Sequence, residues 1–488
     1  MQMKTQIRHF HATNKQEILP LIVVGAAFLV GRYSYKALKR MDDDWHDYQW
    51  QLEQYERQRV QDQAENLPTT IGVDLGSIYL KLSHAQPKAE LVPTADGDRY
   101  RFNGIWIQKD TGDMVVGRPA LDKFFYQPDN QDGDVDNSST SHGKVTPCPV
   151  ILPYATLQQA SHDEAAKMVQ KVFVPAVGEA MERISDKTDQ EVRTVLTLPP
   201  AFYNQHHSTI FQNYHDDSNH TICLPEPVAA IWGAQHLKLL PTKQNKDDKS
   251  PIVLVIDVGG LTTTMSIVQN DIVLGSSTLD KIGGETFVEQ LVGRILKEAK
   301  EVSPSLAEDT MSLALIHQQA RQSVMELVSK TSTKVHIPFL YMGRRQDDPH
   351  LDMLVSRTVM EQTCQDYWKE TIVPKLMQQT GEDEVLSPAM PQPQFLSGII
   401  TSALTKVLEK SAQTPMTLDH VLLVGGGCRH KLVEQSCREG IEALMGPSST
   451  KLVVPNTSVR QELTALGAVS LLPNYTYSYE DGLQRVQA

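Results

Sequence analysis

Ile252-Val253-Leu254-Val255-Ile256-Asp257-Val258-Gly259-Gly260-Leu261-Thr262-Thr263 is the stretch that decides the fold. A short run of apolar, mostly β-branched residues predicts a buried strand. An aspartate rides near its end, two glycines open a tight turn, and hydroxyl side chains follow. The same plan occurs earlier, in Ile71-Gly72-Val73-Asp74-Leu75-Gly76-Ser77. Glycine allows the backbone to approach a phosphate closely. An aspartate beside phosphates can hold the waters of Mg2+, which keeps much of its hydration. One such turn alone reads most simply as a hairpin, but two facing each other across a cleft would clamp a polyphosphate. A third strand, Val421-Leu422-Leu423-Val424, opens into Gly425-Gly426-Gly427-Cys428-Arg429, followed by a helical pattern from Lys431. Ligands sit beyond the carboxyl ends of strands in sheets of this kind. The triple glycine would let a nucleoside lie against backbone, with Arg429 stacking on its base.

Working outward, 488 residues are too many for one simple core. Between Thr69 and Leu472 apolar strand-like runs alternate with helical patterns, which predicts a mixed α/β fold. A formal net charge of −13 argues against non-specific nucleic-acid binding. The five cysteines are scattered without a Cys-x-x-Cys pair, so neither a disulfide framework nor a structural zinc site is expected. Cys428 and Cys437 read as packed thiols. His206, His207, His215 and His220 read as a solvated helix face rather than metal ligands. Met311, Met325, Met342, Met353 and Met360 read as core filling.

The amino-terminal region differs from the rest. Residues 1–17 are basic, and 18–35 are apolar but for Arg32, close to the lower length of a transmembrane helix. A membrane anchor is the expectation, with a cleaved signal or transit peptide and a buried helix as alternatives. Arg32, Lys36, Lys39 and Arg40 place the body on the cytosolic or matrix side by the positive-inside rule; a lumenal body is the alternative. Residues 41–67 carry Trp45, Tyr48, Leu52 and Tyr55 on one stripe, which predicts a juxtamembrane stalk helix. Residues 129–144, rich in Asp, Ser and Asn, read as a mobile loop. Residues 243–250 read as a charged loop, and 473–488 as a polar tail.

These motifs, in their order, resemble the nucleotide-binding domain of the heat shock protein 70 family, within the actin and sugar-kinase superfamily. Ile71 to Tyr79 is similar to the first phosphate motif, and Val255 to Ser266 to the second. Leu198-Pro199-Pro200-Ala201-Phe202-Tyr203 and Leu224-Pro225-Glu226-Pro227-Val228-Ala229-Ala230 resemble two further family segments. Gly283-Gly284-Glu285-Thr286-Phe287, Val424 to Arg429, and Ala465-Leu466-Gly467-Ala468 resemble the last three. The resemblance implies a two-lobed actin-like ATPase fold of duplicated ribonuclease-H-like lobes. Lobe I would span 69–250, and lobe II with the return to lobe I 251–472. It implies ATP or ADP with Mg2+ as ligands. Asp74 and Asp257 would hold the metal through water, Ser77 and Thr262 would bond the terminal phosphates, and Glu226 would position the attacking water. Gly76, Ile78, Tyr79, Gly259, Gly260, Gly283, Gly284, Gly425, Gly426, Gly427 and Arg429 would contact the nucleotide.

Departures from the family temper the expected activity. The family's catalytic lysine segment has no counterpart, with Lys123 and Lys144 its nearest candidates. Thr264 stands where the family has an aspartate, and Gln461 where it has another. Leu261 replaces a glycine. The helix that supplies charged adenosine contacts aligns near Gln322, Met325 and Glu326. The resemblance therefore implies either a slow ATPase switch in a protein-folding pathway or a pseudo-ATPase scaffold. A co-chaperone or nucleotide-exchange factor would be the partner, no peptide-binding domain is expected to follow, and the membrane would be that of the endoplasmic reticulum or the mitochondrion. A small-molecule kinase on the same fold would need a base facing a sugar pocket, and no candidate presents itself.

Overall fold

The computed structural model describes residues 69–76, 79–85, 89–93, 100–102, 105–107, 114–116, 162–184, 192–204, 219–241, 250–302, 306, 310–338, 340–341, 350–374, 395–446, 452–470, 475–478 and 482–485. All lie in the unit Pro68–Ala488. The expected anchor, stalk and acidic loop, and Lys123 and Lys144, lie outside the described residues. No helix among the described residues is long and apolar enough to cross a membrane.

Two sheets carry the fold, and they repeat one plan. The first is built from β1 (Thr69–Leu75), β2 (Tyr79–Ala85), β3 (Ala89–Leu91), β7 (Val192–Leu198) and β8 (Asn219–Pro225), in the order β3-β2-β1-β7-β8. β4 (Arg101–Phe102) adds to β2, while β5 (Ile105–Ile107) and β6 (Met114–Val116) pair apart. The second sheet is built from β9 (Val253–Val258), β10 (Thr262–Gln269), β11 (Ile272–Asp280), β14 (His420–Val424) and β15 (Leu452–Val453), in the order β11-β10-β9-β14-β15. In each sheet the aspartate-bearing strand pairs antiparallel with the strand after it and parallel with a later one. This mixed α/β arrangement is consistent with the duplicated fold expected above.

The central strands read as continuous apolar runs because both of their faces are covered. Val253, Leu254, Val255, Ile256 and Val258 are all at most 2% exposed. On one face of the second sheet lie α3 (Gly284–Val302), α4 (Thr310–Ser329), α6 (Phe395–Lys410) and α7 (Lys431–Met445). α5 (Arg357–Tyr367) belongs to the same core and follows the hairpin of β12 (Ser332–Ile337) and β13 (Leu351–Ser356). α1 (His162–Ile184) covers the first sheet.

Between the sheets run α2 (Glu226–His236) and α8 (Thr457–Ser470), whose apolar residues share a cluster with β7, β8, β9 and β14. These helices touch backbone to backbone. A Cβ on Gly467 would stand 1.7 Å from the Ala229 carbonyl oxygen, and one on Gly233 would stand 2.1 Å from that of Leu463. Only glycine permits such an approach. Glu226, in the first turn of α2, and Gln461, in α8, both line the central cavity.

Within the polar tail, β16 (Tyr475–Ser478) and β17 (Gly482–Arg485) form an antiparallel pair, as alternating Tyr and Thr favour. Two expectations are corrected. His220 sits in β8 rather than on a helix, and His206, His207 and His215 lie outside the described residues. Met353 and Met360 are core residues as expected, but Met325 is 48% exposed and lines the central cavity. Met342 lies outside the described residues. Cys223, Cys364, Cys428 and Cys437 are free and buried.

Candidate functional site

The carboxyl ends of β1 and β9 meet at a cavity of about 250 Å3. Asp74 enters from β1, Asp257 from β9, and Glu226 from the first turn of α2. Gly76, Gly259, Gly260 and Thr262 line the cavity at the two corners, and Gly284, Gly425, Gly426, Gly427 and Arg429 line it further along. Gly283 packs behind: a Cβ there would stand 2.4 Å from the Gly260 carbonyl oxygen. Ser77 and Ile78 lie outside the described residues, and of Tyr79 only its place in β2 is described.

Gathering three acids in a buried space has an electrostatic cost. Burial, then the charges of Asp74 and Asp257, push the Glu226 carboxyl well above the usual carboxylate range, with Lys81 pulling the other way. Burial likewise raises Asp257 to about 6, opposed by Lys81 and reinforced by Asp74. Both groups thus hold protons more tightly than in water, the signature of a site short of positive charge.

Lys81 supplies part of that charge, and motif reading along the chain missed it. It is the cross-strand partner of Asp74 in the β1–β2 pair, and its Nζ donates to Asp74 Oδ2 at 2.5 Å. Burial lowers its pKa, but Asp74, Asp257 and Glu226 outweigh burial and leave it above the usual lysine value. Its counterpart in the second sheet is Thr264, the cross-strand partner of Asp257. Thr264 also lines the cavity and lies 3.4 Å, oxygen to oxygen, from Thr278. A signal for Lys81 was present in the sequence: 74 to 81 and 257 to 264 are the same spacing across equivalent hairpins.

The glycine corners owe much of their composition to packing. Gly259 N–H donates to the Thr262 carbonyl at 2.8 Å, closing the turn, so that group is spent internally. The amides of Gly284 and Glu285 donate to the carbonyls of Gly259 and Gly260 at 3.1 and 2.7 Å, tying α3 to the corner. Thr263 faces inward and donates to the Ile282 carbonyl at 2.6 Å. Gly425 has φ +91°, and a Cβ there would stand 2.3 Å from Asp257 Oδ1. One on Gly427 would stand 2.7 Å from the Gly259 carbonyl oxygen. Two of the three glycines therefore let β14 run close against the end of β9, a reason distinct from the contact with a nucleoside expected above.

At the far end of the cavity, Arg429 Nη2 donates to Gln461 Oε1 at 2.6 Å. Its Nε is buried without a hydrogen-bond partner among the described residues. Tyr100 donates to Glu462 Oε1 at 3.2 Å. Arg321 of α4, another residue the motifs did not reveal, grips Glu285 with both guanidinium ends, one of them at 2.8 Å. Val288, Val324 and Met325 give this end an apolar wall. Glu326 faces elsewhere, accepting from Lys330 and Thr333.

Part of this cavity lies in a segment that resembles a known family. A family model, Hsp70 protein, matches residues 243–386, the part that holds β9, the second glycine corner and α4. The chain is also similar to curated proteins named Chaperone protein DnaK from Thermotoga neapolitana, Thermotoga petrophila and Thermotoga maritima. Each is 22% identical over 405 residues, which covers 81% of this chain and 58% of the relative. Over residues 243–386 the chain is similar to Hsp70 proteins. It spans 58% of the length of the curated relatives it matches.

The described residues fit the nucleotide and metal that an Hsp70 chain implies. A polyphosphate would meet the two glycine corners. A cation would relieve the raised Glu226 and Asp257. Among the described residues no three His, Cys, Asp or Glu side chains are set to hold a metal directly. Asp74 and Asp257, both at the cavity, are the residues that could hold a metal through its waters.

Proposed function

We propose that the chain is an Hsp70-type nucleotide switch that binds ATP or ADP with Mg2+ and hydrolyses ATP slowly. The observation that carries this reading is the meeting of Asp74, Glu226 and Asp257, from both sheets, in one cavity flanked by glycine corners. Asp74 and Asp257 would orient the metal's water shell, Thr262 would bond a terminal phosphate oxygen, and Glu226 would orient the attacking water. The metal would neutralise charge on the transferred phosphoryl group, the main requirement of such a reaction. The protein's share is position and electrostatics. Arg429, held by Gln461, would lie against the base. The relatives are named as chaperones, which supports a place in protein folding, with a co-chaperone or exchange factor reading the nucleotide state. The apolar span 18–35 supports anchorage in an endoplasmic reticulum or mitochondrial membrane.

A second reading, a pseudo-ATPase scaffold, is favoured by Thr264 and Gln461 at positions where the family carries acids. Calorimetry with Mg·ATP and Mg·ADP, beside Asp74→Ala and Asp257→Ala, together with a phosphate-release assay, separates the two. The switch predicts binding and slow turnover, both lost in the variants. Binding with no turnover, with or without a co-chaperone, would leave the scaffold. No nucleotide binding at all would sink the switch.

A further inference from the structure

Among the described residues, one cation of the chain already engages the acidic cluster. Lys81 Nζ lies 2.5 Å from Asp74 Oδ2. Asp74 is itself only 3% exposed and the lysine side chain 16%, so solvent screens the pair little. The ammonium also lies in the fields of Asp257 and Glu226, which enter the cavity from other elements. The Asp74 oxygen it occupies is one that a metal-bound water would otherwise use. The β1–β2 register places Lys81 directly opposite Asp74, so backbone pairing fixes where the side chain begins. The equivalent hairpin of the second sheet has the neutral Thr264 at this position, and the added charge belongs to one half only.

We propose that the Lys81 ammonium serves as a tethered cation in this site, taking over part of the role of a divalent ion, so that a nucleoside polyphosphate binds with little dependence on Mg2+. The proposal rests on the nucleotide reading given above and adds to it the ionic form of the ligand. An ammonium cannot order a water shell as a divalent ion does. It can bond a carboxylate and a phosphate oxygen together, since it carries three donors. Binding is then separated from the ion that hydrolysis would need.

The test is calorimetric titration of the purified full chain with ATP, once with Mg2+ and once with excess EDTA, for the wild type, Lys81→Met and Lys81→Arg. Thermal unfolding is recorded for each protein as a check on folding. The wild type is expected to lose less than about tenfold in affinity under EDTA, which is a small change on the scale of nucleotide affinities. Lys81→Met is expected to bind only when Mg2+ is present, and Lys81→Arg to retain binding under EDTA. A loss of tenfold or more in the wild type overturns the proposal and leaves the nucleotide reading standing. Binding by folded Lys81→Met that ignores EDTA also overturns it. Absence of ATP binding in both conditions overturns the nucleotide reading and the proposal together. If Lys81→Met fails to fold, the wild-type ratio and Lys81→Arg still decide.

Discussion

Arg460 Nη1 donates to Glu434 Oε2 at 2.8 Å, joining α8 to α7 beneath the glycine turn. The same nitrogen donates to the Cys428 carbonyl at 3.1 Å, and the Arg460 carbonyl accepts from Gly425 N–H at 3.1 Å. One side chain and its own backbone thus hold both ends of the turn that lines the central cavity. Arg460 is 8% exposed, so its removal strands the buried carbonyls of Cys428 and Pro455, while Glu434 keeps Arg438 as its partner. Arg460→Ala is expected to cost about 3 kcal/mol in urea unfolding. Arg460→Lys should recover only part of it, because a point charge cannot reproduce a planar fork. Wild-type stability in Arg460→Ala would refute the bracing role.

Asp257 bears a cost that its site imposes. Its carboxyl is raised to about 6, first by burial and then by Asp74, against a usual value of 3.8. As pH rises from 3.8 through 6, the unfolded chain gives up its proton first, and the folded state loses stability. Asp257→Asn is therefore expected to raise the midpoint of thermal unfolding at pH 7, by up to about 3 kcal/mol of stability. The advantage should shrink towards zero near pH 4. An equal or lower midpoint at pH 7 would show that the cluster is not strained.

His430 has the opposite sign over much of the same window. It stacks on Phe287 with ring centroids 3.9 Å apart and planes within 6°. Phe287 in turn meets the edge of Trp368 at 5.9 Å. Burial, with Arg429 and Arg357 adding to it, lowers the imidazole to about 4 from 6.5. Its contribution is fully present above pH 6.5 and is lost as pH falls to 4, a change of about 3 kcal/mol. His430→Phe keeps a ring in the stack without a proton to gain. The variant should lose less stability than the wild type between pH 6.5 and 4.5 in urea titrations. Parallel curves would remove His430 from the account of acid lability.

Gly467→Ala sets a methyl group against the Ala229 carbonyl across the helix crossing. Neither backbone can yield without moving a helix, so the expected loss is at least about 3 kcal/mol. Gly178→Ala, on α1 with nothing within 4 Å of the added carbon, is the control. It should be neutral or stabilising by about 1 kcal/mol, since alanine favours helix. The comparison reads out in denaturant midpoints, and equal midpoints would refute the tight crossing.

Much of this site could be read from sequence because its central parts are local. Asp74 and Asp257 each sit where an apolar strand runs into glycine, and both face one cavity. Lys81 escaped notice because the family's lysine was sought along the chain, whereas this one reaches the site across a strand pair. The Arg321–Glu285 grip joins residues 36 positions apart on two helices and has no local pattern to betray it. The triple glycine was legible as important but not for its main reason: the crowding of Gly425 against β9 is a tertiary fact. Met325 looked like filler because apolar residues on a helix usually are.

The bare contact between α2 and α8 bears on movement as well as stability. Side chains that interlock resist rotation of one helix over another. Where Gly233 and Gly467 bring two main chains together, there are no teeth to disengage. The side chains around that point, Val228, Ile231, Trp232 and Leu463, share one buried cluster with strands of both sheets. The crossing thus couples the two sheets, so a turn of one helix on the other would be carried to Glu226 and Gln461, which line the cavity.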